Sequence, residues 1–257
     1  MNTNDKNSAL NSKHVRRRFD RAAARFDSVD FVQSATRDGL LARLEPMIIE
    51  ARTVLDLGSA TGSGSRLLAR RFRRARIVPV DLSRHMLEEM RRKQSRFSRT
   101  TAIQANAAAL PFVDQSIDVV FANMLLPWIG DPGQTFAEVS RVLRKDGLFL
   151  FATLGPDSLD GLRHEPFADM HDVGDALVRA GLRDPVLDVD RLTVTYESTE
   201  SLRSDLTAMG AGCCAPEHAD ILGFDLELVY GHCWGSGQQK AGGEYRLAAS
   251  GIGRRQR

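Results

Sequence analysis

Four polar residues, Asp56, Asp81, Asn106 and Asn123, each follow a short apolar run in this chain. Carboxylate and amide oxygens accept hydrogen bonds, and a carboxylate also attracts a cation. Because ligands of open α/β sheets bind outside the carboxyl ends of the strands, we expect these side chains to meet at one edge of a sheet. The spacing therefore predicts a site for a small ligand that carries hydroxyl groups and a positive charge.

The turn at residues 58–62 is the most informative segment. It follows the run Val-Leu-Asp-Leu at 54–57 and precedes a helix-forming stretch. Gly58 and Gly62 let the backbone approach a ligand where a side chain would clash. A dinucleotide site would read G-x-G-x-x-G and bind a pyrophosphate, which the acid at Asp56 would repel. On the turn alone, a nucleotide-like ligand and a purely structural turn both remain open.

A second acid, Asp81, ends the apolar run at 77–80, 25 residues after Asp56. In dinucleotide-binding folds an acid about 20 residues beyond the glycine-rich turn binds the ribose hydroxyls. Asp81 could instead cap the helix that begins near Ser83. Both roles are compatible with each other.

These segments, taken in order, resemble the motifs of class I S-adenosylmethionine (SAM) methyltransferases. Residues 56–62 resemble motif I, with Ala60 in place of the usual middle glycine. Residues 81–87 resemble D-x-S-x-x-M-L. Residues 104–112 resemble D-A-x-x-L-P-F, with Asn106 in place of the usual acid, and residues 116–123 resemble the family's fourth strand.

The resemblance implies that SAM is bound and that S-adenosylhomocysteine is the product. It implies contacts of the SAM amino group with Asp56, of the ribose with Asp81, and of adenine with Met86 and Asn106, while Asn123 faces the methyl group. The cofactor-binding residues implied in this way are Gln33, Asp56, Gly58, Ser59, Ala60, Gly62, Asp81, Leu82, Met86, Asn106, Ala107, Asn123 and Met124.

The flanking segments narrow the resemblance. Residues 18–27 with Gln33, and residues 151–159, 169–177 and 228–235, resemble the malonyl-carrier-protein O-methyltransferases of biotin synthesis. That family commonly has Tyr where this chain has Phe26, and it has longer lid insertions. We expect Phe26 and Trp128 to close over the substrates, with a shortened lid formed by parts of residues 156–234.

The implied reaction is methylation of the free carboxylate of a malonyl thioester. A carboxylic acid is ionised at neutral pH, so its carboxylate is already a nucleophile and needs no general base. We therefore expect positioning and removal of water to suffice, with no catalytic acid–base pair. His171 and His232 are expected to be structural or pocket-lining.

The expected acceptor is carried by an acidic carrier protein or by coenzyme A. The basic run Arg16-Arg17-Arg18 is a candidate docking surface for the acidic carrier. Three alternatives remain open: a SAM methyltransferase acting on a quinone-type or other small acid, a relative of the enzymes that assemble respiratory complex I, and a SAM-binding protein without catalytic activity.

Composition gives weaker limits. The chain has 257 residues, 42% of them hydrophobic, and a net charge of +2. It has no apolar run long enough to span a bilayer, and its polar first dozen residues do not resemble a secretory signal. Three cysteines suggest a reducing cytoplasm. We expect no metal, since no CxxC spacing is present, and we expect no nucleic-acid or membrane partner.

The elements that must position these residues alternate between strands and helices, which predicts an α/β fold. We expect a doubly wound, Rossmann-like sheet that is mostly parallel with an antiparallel last strand. Gly147 is expected to stop the helix before the fifth strand. The predicted regions are a disordered N-terminus (1–14), N-terminal helices capping the active site (15–50), a SAM-binding core (51–155), lid elements with the last strands (156–234), and a flexible tail (235–257).

Overall fold

The computed structural model describes residues 10–94, 100–214, 216–218 and 220–237. Within these residues the chain alternates helices and strands in the predicted order. The helices are α1 (Ser12–Ala22), α2 (Phe31–Leu44), α3 (Ser63–Arg71), α4 (Arg84–Lys93), α5 (Pro132–Val142), α6 (Met170–Arg179) and α7 (Thr199–Ala208). The strands are β1 (Thr53–Leu57), β2 (Arg76–Asp81), β3 (Ile103–Gln104), β4 (Ile117–Asn123), β5 (Leu143–Leu154), β6 (Leu182–Thr195) and β7 (Gly223–Gly235).

The strands form one seven-stranded sheet in the order β3-β2-β1-β4-β5-β7-β6. Strands β1 to β5 run parallel to one another, and β7 runs antiparallel to both β5 and β6. The predicted doubly wound sheet with an antiparallel last strand is confirmed. The strand order reverses between β1 and β4, so a crevice forms at their carboxyl ends.

Both faces of the sheet are covered, as a parallel sheet requires. Alternate residues of β4 and β5 enter two separate cores: Phe121 and Leu150 belong to one, and Val120 and Phe149 to the other. The strands that bear the polar residues at their ends are therefore held rigidly between two packed cores. This placement confirms the expectation that Asp56, Asp81, Asn106 and Asn123 lie at one edge.

The first helix begins earlier than predicted. Asn11 caps it by accepting a hydrogen bond from the backbone N–H of Lys13 at 3.0 Å, and the helix starts at Ser12. Residues 12–14, expected to be disordered, are therefore helical, because a capping side chain precedes them. The rest of the predicted disordered segment, at 1–9, and the predicted tail from residue 238 lie outside the described residues.

The prediction that Gly147 stops α5 is wrong. The helix ends at Val142, and Gly147 lies within β5. A Cβ atom at Gly147 would lie 3.0 Å from the carbonyl oxygens of Arg144 and Asp118. The glycine is therefore required for close backbone packing inside the sheet, and Asp146 takes the left-handed conformation at φ 60°.

The two short segments expected to form the lid, at residues 155–169 and 209–222, contact each other. Leu162 forms an isolated β-bridge with Pro216, and the N–H of Glu217 donates to the carbonyl of Gly161 at 3.0 Å. Neither segment contains a helix within the described residues from 155 to 169 and from 209 to 222. The two segments, which we call the lid loops after the expected lid, are thus a pair of joined loops beside the strand ends.

Candidate active site

The glycine-rich turn connects β1 to α3 in a strongly bent conformation. Gly58, Ala60 and Gly62 all have positive φ, at 77°, 46° and 82°. The N–H groups of Gly58 and Ser59 both donate to the carbonyl of Val80, at 2.8 and 3.0 Å. The turn is therefore fixed against the end of β2, and its backbone forms one wall of a cavity.

Asp81 links this turn to the start of α4. One carboxylate oxygen accepts the N–H of Ala60 at 2.9 Å, and the other accepts the N–H of Ser83 at 2.7 Å. The helix itself is capped by the Ser83 hydroxyl, which accepts the N–H of Met86 at 3.2 Å. The alternative role of Asp81 as the helix cap is thus wrong. Since a carboxylate can accept about four hydrogen bonds, Asp81 keeps capacity for a ligand.

Asp56 lies deeper, with 2% of its surface exposed. Its Oδ2 accepts a hydrogen bond from the hydroxyl of Ser65, in the first turn of α3. A Cβ atom at Gly64 would lie 3.2 Å from the same oxygen, so the lack of a side chain there makes room for the carboxylate. The Asp56 carboxylate therefore lies beneath the turn and contributes its charge to the cavity.

Both acids titrate above their ordinary range. Burial is the main cause of the rise of the Asp56 pKa to about 6, and the neighbouring charge of Asp81 adds to it. Burial also raises the pKa of Asp81 to about 6, against the lowering effect of the Ser83 and Ala60 N–H groups. Two acids whose ionised forms are disfavoured by burial make this cavity attractive to a cation.

Four side chains in the same cavity have buried polar atoms without a partner among the described residues. They are the amide oxygens of Gln33 and Asn123, the Nε of Arg37 and the hydroxyl of Ser59. Gln33 and Arg37 lie on α2, and Asn123 ends β4. The Asn123 amide nitrogen donates to the backbone carbonyl of Gln33 at 2.8 Å, which fixes α2 to the end of the strand. Buried polar groups of this kind are usually paired with water, an ion or a ligand, so these atoms are available to a bound molecule.

The first cavity, as we name it, encloses about 280 Å³ at the carboxyl ends of β1, β2 and β4. Of the predicted cofactor-binding residues, all but Gly62 and Met86 line it: Gln33, Asp56, Gly58, Ser59, Ala60, Asp81, Leu82, Asn106, Ala107, Asn123 and Met124. Met86 is fully buried and packs against Phe26 and Ala60 behind the wall. The amide oxygen of Asn106 accepts the N–H of Ala108 at 3.0 Å.

Aromatic side chains cover the cavity. Phe26 and Trp128 line it as predicted, and Phe19 lies between them. The rings of Phe19 and Trp128 meet edge to face at 5.2 Å, and those of Phe19 and Phe26 lie 6.4 Å apart. α1 and the turn after it therefore form an apolar cover over a polar floor.

Two acids of this N-terminal segment attach it to the rest of the protein by hydrogen bonds and an ion pair. Asp20 accepts a hydrogen bond from the Ser83 hydroxyl at 2.6 Å. Asp27 pairs with Lys93 and accepts a hydrogen bond from the hydroxyl of Thr61. Neither acid was singled out by its own chemistry in the sequence, because each acts on an element more than 30 residues away.

A second cavity of about 310 Å³ adjoins the first, and Gln33, Met124 and Trp128 line both. Its wall is largely apolar and comes from the lid loops, α7 and β7. The residues that line it further include Leu154, Leu159, Phe167, Leu206, Met209, Cys213, Cys214, Phe224 and Leu226. Only the tertiary structure brings these segments together.

The remaining predicted residues lie elsewhere. Arg16 and Arg17 are exposed on α1 and line neither cavity. His171 is exposed and bonds to Asp169 at the start of α6, and His232 lies on β7 against Trp234. Within the described part of the chain, no three or more His, Cys, Asp or Glu side chains are grouped so that they could hold a metal ion. No helix there is long and apolar enough to cross a membrane.

Comparison with known proteins agrees with this geometry. A family model described as a methyltransferase domain matches residues 55–151. A malonyl-[acyl-carrier protein] O-methyltransferase of Halorhodospira halophila is 38% identical, with all of both chains covered. That of Laribacter hongkongensis is also 38% identical, over 86% of this chain and 88% of the relative.

Solved structures share the fold at lower identity. One is a chain in the complex of the Haloferax volcanii Trm112 methyltransferase activator with a putative methyltransferase, with a TM-score of 0.64, 20% identity, and 88% of this chain and 99% of that chain covered. Another is Haemonchus contortus phosphoethanolamine N-methyltransferase 2 in complex with SAM, with a TM-score of 0.57, 16% identity, and 89% and 58% covered. By its sequence relatives, this chain belongs to the malonyl-[acyl-carrier protein] O-methyltransferase family of SAM-dependent methyltransferases.

Proposed function

We propose that this protein transfers a methyl group from SAM to the free carboxylate of a malonyl thioester on an acyl carrier protein, an early step of biotin synthesis. The observation that carries the proposal is the set of unpartnered buried atoms in the first cavity. Besides the Ser59 hydroxyl, this set comprises two amide oxygens and one guanidinium N–H. They match the two ends of an amino-acid zwitterion, such as the methionyl part of SAM.

The residues divide by the part of the cofactor that each would hold. The oxygens of Gln33 and Asn123 accept from the ammonium group, and Arg37 donates to the carboxylate. Asp56 adds negative potential beneath the turn, which favours the ammonium group and the sulfonium.

The nucleoside end of the cavity has its own contacts. Asp81 accepts from the ribose hydroxyls with its remaining lone pairs. Leu82 and Ala107 border the adenine site. The Asn106 oxygen, which already accepts one N–H, can accept the adenine amino group with its second lone pair.

The reaction requires little of the protein besides alignment of the two substrates. When bound, SAM supplies an electrophilic methyl group on a positively charged sulfur. The acceptor carboxylate is ionised at neutral pH, so no residue has to remove a proton from it. The chain's contribution is alignment of the two substrates at the junction of the cavities.

The aromatic cover supplies a dry environment. Phe19, Phe26 and Trp128 close the cavity on the side of α1. In the reaction a negative carboxylate and a positive sulfonium become two neutral products, so charge is lost toward the transition state. Removal of water disfavours the charged reactants more than the transition state, which favours transfer.

Transfer of radiolabelled methyl from SAM tests the proposal. We expect base-labile label on malonyl-carrier protein, as for a methyl ester, with weaker labelling of malonyl-coenzyme A. Acetyl-carrier protein, which lacks the free carboxylate, is the matched control and should take no label. Tight SAM binding without transfer to any malonyl thioester would contradict the proposed activity and leave only cofactor binding.

A further inference from the structure

The wall of the second cavity contains two adjacent cysteines. Cys213 and Cys214 both line the cavity, and their sulfur atoms lie 3.9 Å apart, within hydrogen-bond range for thiols. Both are free of disulfide bonds. Cys213 is half-buried, and Cys214 has 5% of its surface exposed. A cavity that adjoins the first one therefore presents two free thiols.

The segment that carries the pair is a hydrogen-bonded turn at the end of α7. Gly210 leaves the helix with φ 83°. The N–H of Ala211 then donates to the carbonyl of Leu206 at 2.7 Å, and the N–H of Cys214 donates to the carbonyl of Ala211 at 2.8 Å. The backbone of this turn therefore fixes where the two thiols enter the cavity wall.

The two cysteines are poorly placed to form a disulfide with each other. The Cα atoms of adjacent residues lie about 3.8 Å apart across a trans peptide bond, whereas disulfides usually join Cα atoms about 4.4–6.8 Å apart. A disulfide between one of them and an external thiol would therefore not be displaced readily by the other. The pair is suited to one external partner.

Cys213 is the reactive member of the pair. The hydrogen bond with Cys214 is the main cause that lowers the pKa of the Cys213 thiol to about 6; burial opposes the change, and the charge of Arg18 makes a smaller contribution to it. The same hydrogen bond and burial raise the pKa of Cys214. Since the thiolate is the nucleophile, Cys213 reacts and Cys214 supports it by donating its S–H.

The cavity also limits which disulfide can enter. Arg163 is exposed and lines the cavity, so solvent reaches the cavity at the lid loop. The largely apolar wall suits a long, uncharged arm such as pantetheine, and Arg163 suits the phosphate groups that follow this arm in coenzyme A. Glutathione disulfide fits less well, because its carboxylates would be buried against apolar side chains.

We propose that Cys213 is a site of thiol–disulfide exchange for pantetheine-type disulfides that enter the second cavity. The Cys213 thiolate attacks one sulfur of the disulfide; a new S–S bond forms as the old one breaks, and the released thiolate carries away the electron pair. The ligand disulfide is the oxidant, and a free thiol reverses the exchange. The choice of a pantetheine arm rests on the proposed function, in which this cavity receives a thioester on such an arm.

Mass spectrometry of the full-length protein after incubation with coenzyme A disulfide tests the inference. We expect one coenzyme A adduct per chain, which dithiothreitol removes. Peptide mapping of the wild-type protein should locate the adduct on Cys213 without the need for any variant. Glutathione disulfide at the same concentration should react about tenfold more slowly, because its charged groups lose water in the cavity.

Three alanine variants separate the roles of the cysteines. Cys213→Ala should lose the adduct. Cys233→Ala is the matched control and should keep it, because Cys233 is fully buried on β7 and lines neither cavity. Cys214→Ala should form the adduct about tenfold more slowly at pH 6, since the hydrogen bond that favours the Cys213 thiolate is lost.

Four results would overturn the inference: no adduct on the wild-type protein, an adduct on Cys214 or Cys233 instead, equal rates with the two disulfides, or an unchanged rate in Cys214→Ala. Failure of the proposed function has a different signature. In that case Cys213 would still take the adduct, but the reduced protein would transfer no radiolabelled methyl to any malonyl thioester.

Discussion

At the scale of single residues, the site combines a buried acid, Asp56, and a half-buried one, Asp81, with unpartnered amides. Asp56 and Asp81 end neighbouring strands but differ in their contacts: Asp56 is bonded to a hydroxyl under the turn, and Asp81 to two backbone N–H groups. Burial raises the pKa of each to about 6. Their ionised forms can bind a ligand that offers positive charge or hydroxyl groups.

This shift gives a pH dependence for SAM binding. The ionised acids bind the ligand, so the affinity for SAM should fall as the pH falls through 6. Calorimetry between pH 7 and pH 5 measures it, and Asp81→Asn should weaken binding at pH 7 and flatten the profile. A dissociation constant that stays constant over this range would contradict the assignment.

The same raised pKa values change the stability of the ligand-free protein in the opposite direction. A carboxyl whose pKa is higher folded than unfolded destabilises the fold when ionised, and the effect is relieved as the pH falls through the folded pKa. The two acids should therefore raise the free energy of unfolding as the pH falls from 7 to 5. Comparison of urea unfolding of the wild-type protein with that of Asp56→Asn isolates the contribution of Asp56.

Arg37 and Arg43 make a second prediction at this scale. Both lie on α2 and both are ion-paired, Arg37 with Asp30 at 3.3 Å and Arg43 with Asp188. Arg37 also faces the first cavity, whereas Arg43 stacks on the Tyr230 ring at 3.7 Å. Arg37→Gln should weaken SAM binding by about 10- to 100-fold, since a charge-assisted hydrogen bond is lost. Arg43→Gln should leave SAM affinity unchanged. Equal losses in both variants would show that the effect comes from α2 as a whole.

At the scale of elements, the turn between β1 and α3 decides the geometry of the site. Gly62 has φ 82°, and a Cβ atom there would lie 2.6 Å from Cγ of Met90. Gly58 and Ala60 share the left-handed conformation. The strand–turn–helix unit is therefore strained for ordinary residues and depends on its glycines.

Gly62→Ala should destabilise the protein. The left-handed conformation costs a residue with a Cβ about 1–2 kcal/mol, and the contact with Met90 adds a packing cost of about 1–3 kcal/mol. Gly174→Ala, inside α6, is the matched control. Its new methyl would meet Leu187 at 3.6 Å, an ordinary contact, and should stabilise the helix by about 0.5–1 kcal/mol.

Chemical unfolding of both glycine variants, monitored by far-UV circular dichroism, gives the two free energies. The expected signs are opposite. A Gly62→Ala protein as stable as the wild type would mean that the turn relaxes without cost and does not depend on a glycine at this position.

At the scale of the whole molecule, α1 has two faces with different tasks. The inner face carries Phe19 over the first cavity and places Arg18 against the Trp128 ring, and the outer face exposes Arg16 and Arg17. Asp20 and Asp27 hold this segment on α4 and on the glycine-rich turn. A carrier protein that delivers its substrate to the second cavity would meet the outer face of α1.

Reversal of that outer charge should weaken use of the carrier. The double variant Arg16→Glu and Arg17→Glu should raise KM for malonyl-carrier protein by about tenfold at low salt and less at high salt, because exposed charges are screened. Its KM for malonyl-coenzyme A should change less. Arg73→Glu with Arg74→Glu, at the opposite edge of the sheet after α3, changes the net charge equally and is the control.

An unchanged KM in the Arg16 and Arg17 variant would remove α1 as the docking surface. A similar rise in the Arg73 and Arg74 variant would show that the total charge, rather than the location, attracts the carrier. Methyl transfer measured at several salt concentrations distinguishes these results.

The sequence by itself determined the fold class, the order of the elements and the edge at which the polar residues meet. These features depend on local patterns: apolar runs, helical periodicity and glycines followed by a helix. The pattern was less reliable at element ends, as the early start of α1 at its Asn11 cap and the position of Gly147 within β5 show.

Only the tertiary structure decided which side chains lack partners and which of several similar residues face the site. The Asn123–Gln33 hydrogen bond joins residues 90 positions apart, and nothing local distinguishes Arg37 from Arg43. The second cavity assembles from α2, the lid loops, α7 and β7. The physical reason is that orientation and burial follow from packing between distant segments, which local propensity does not encode.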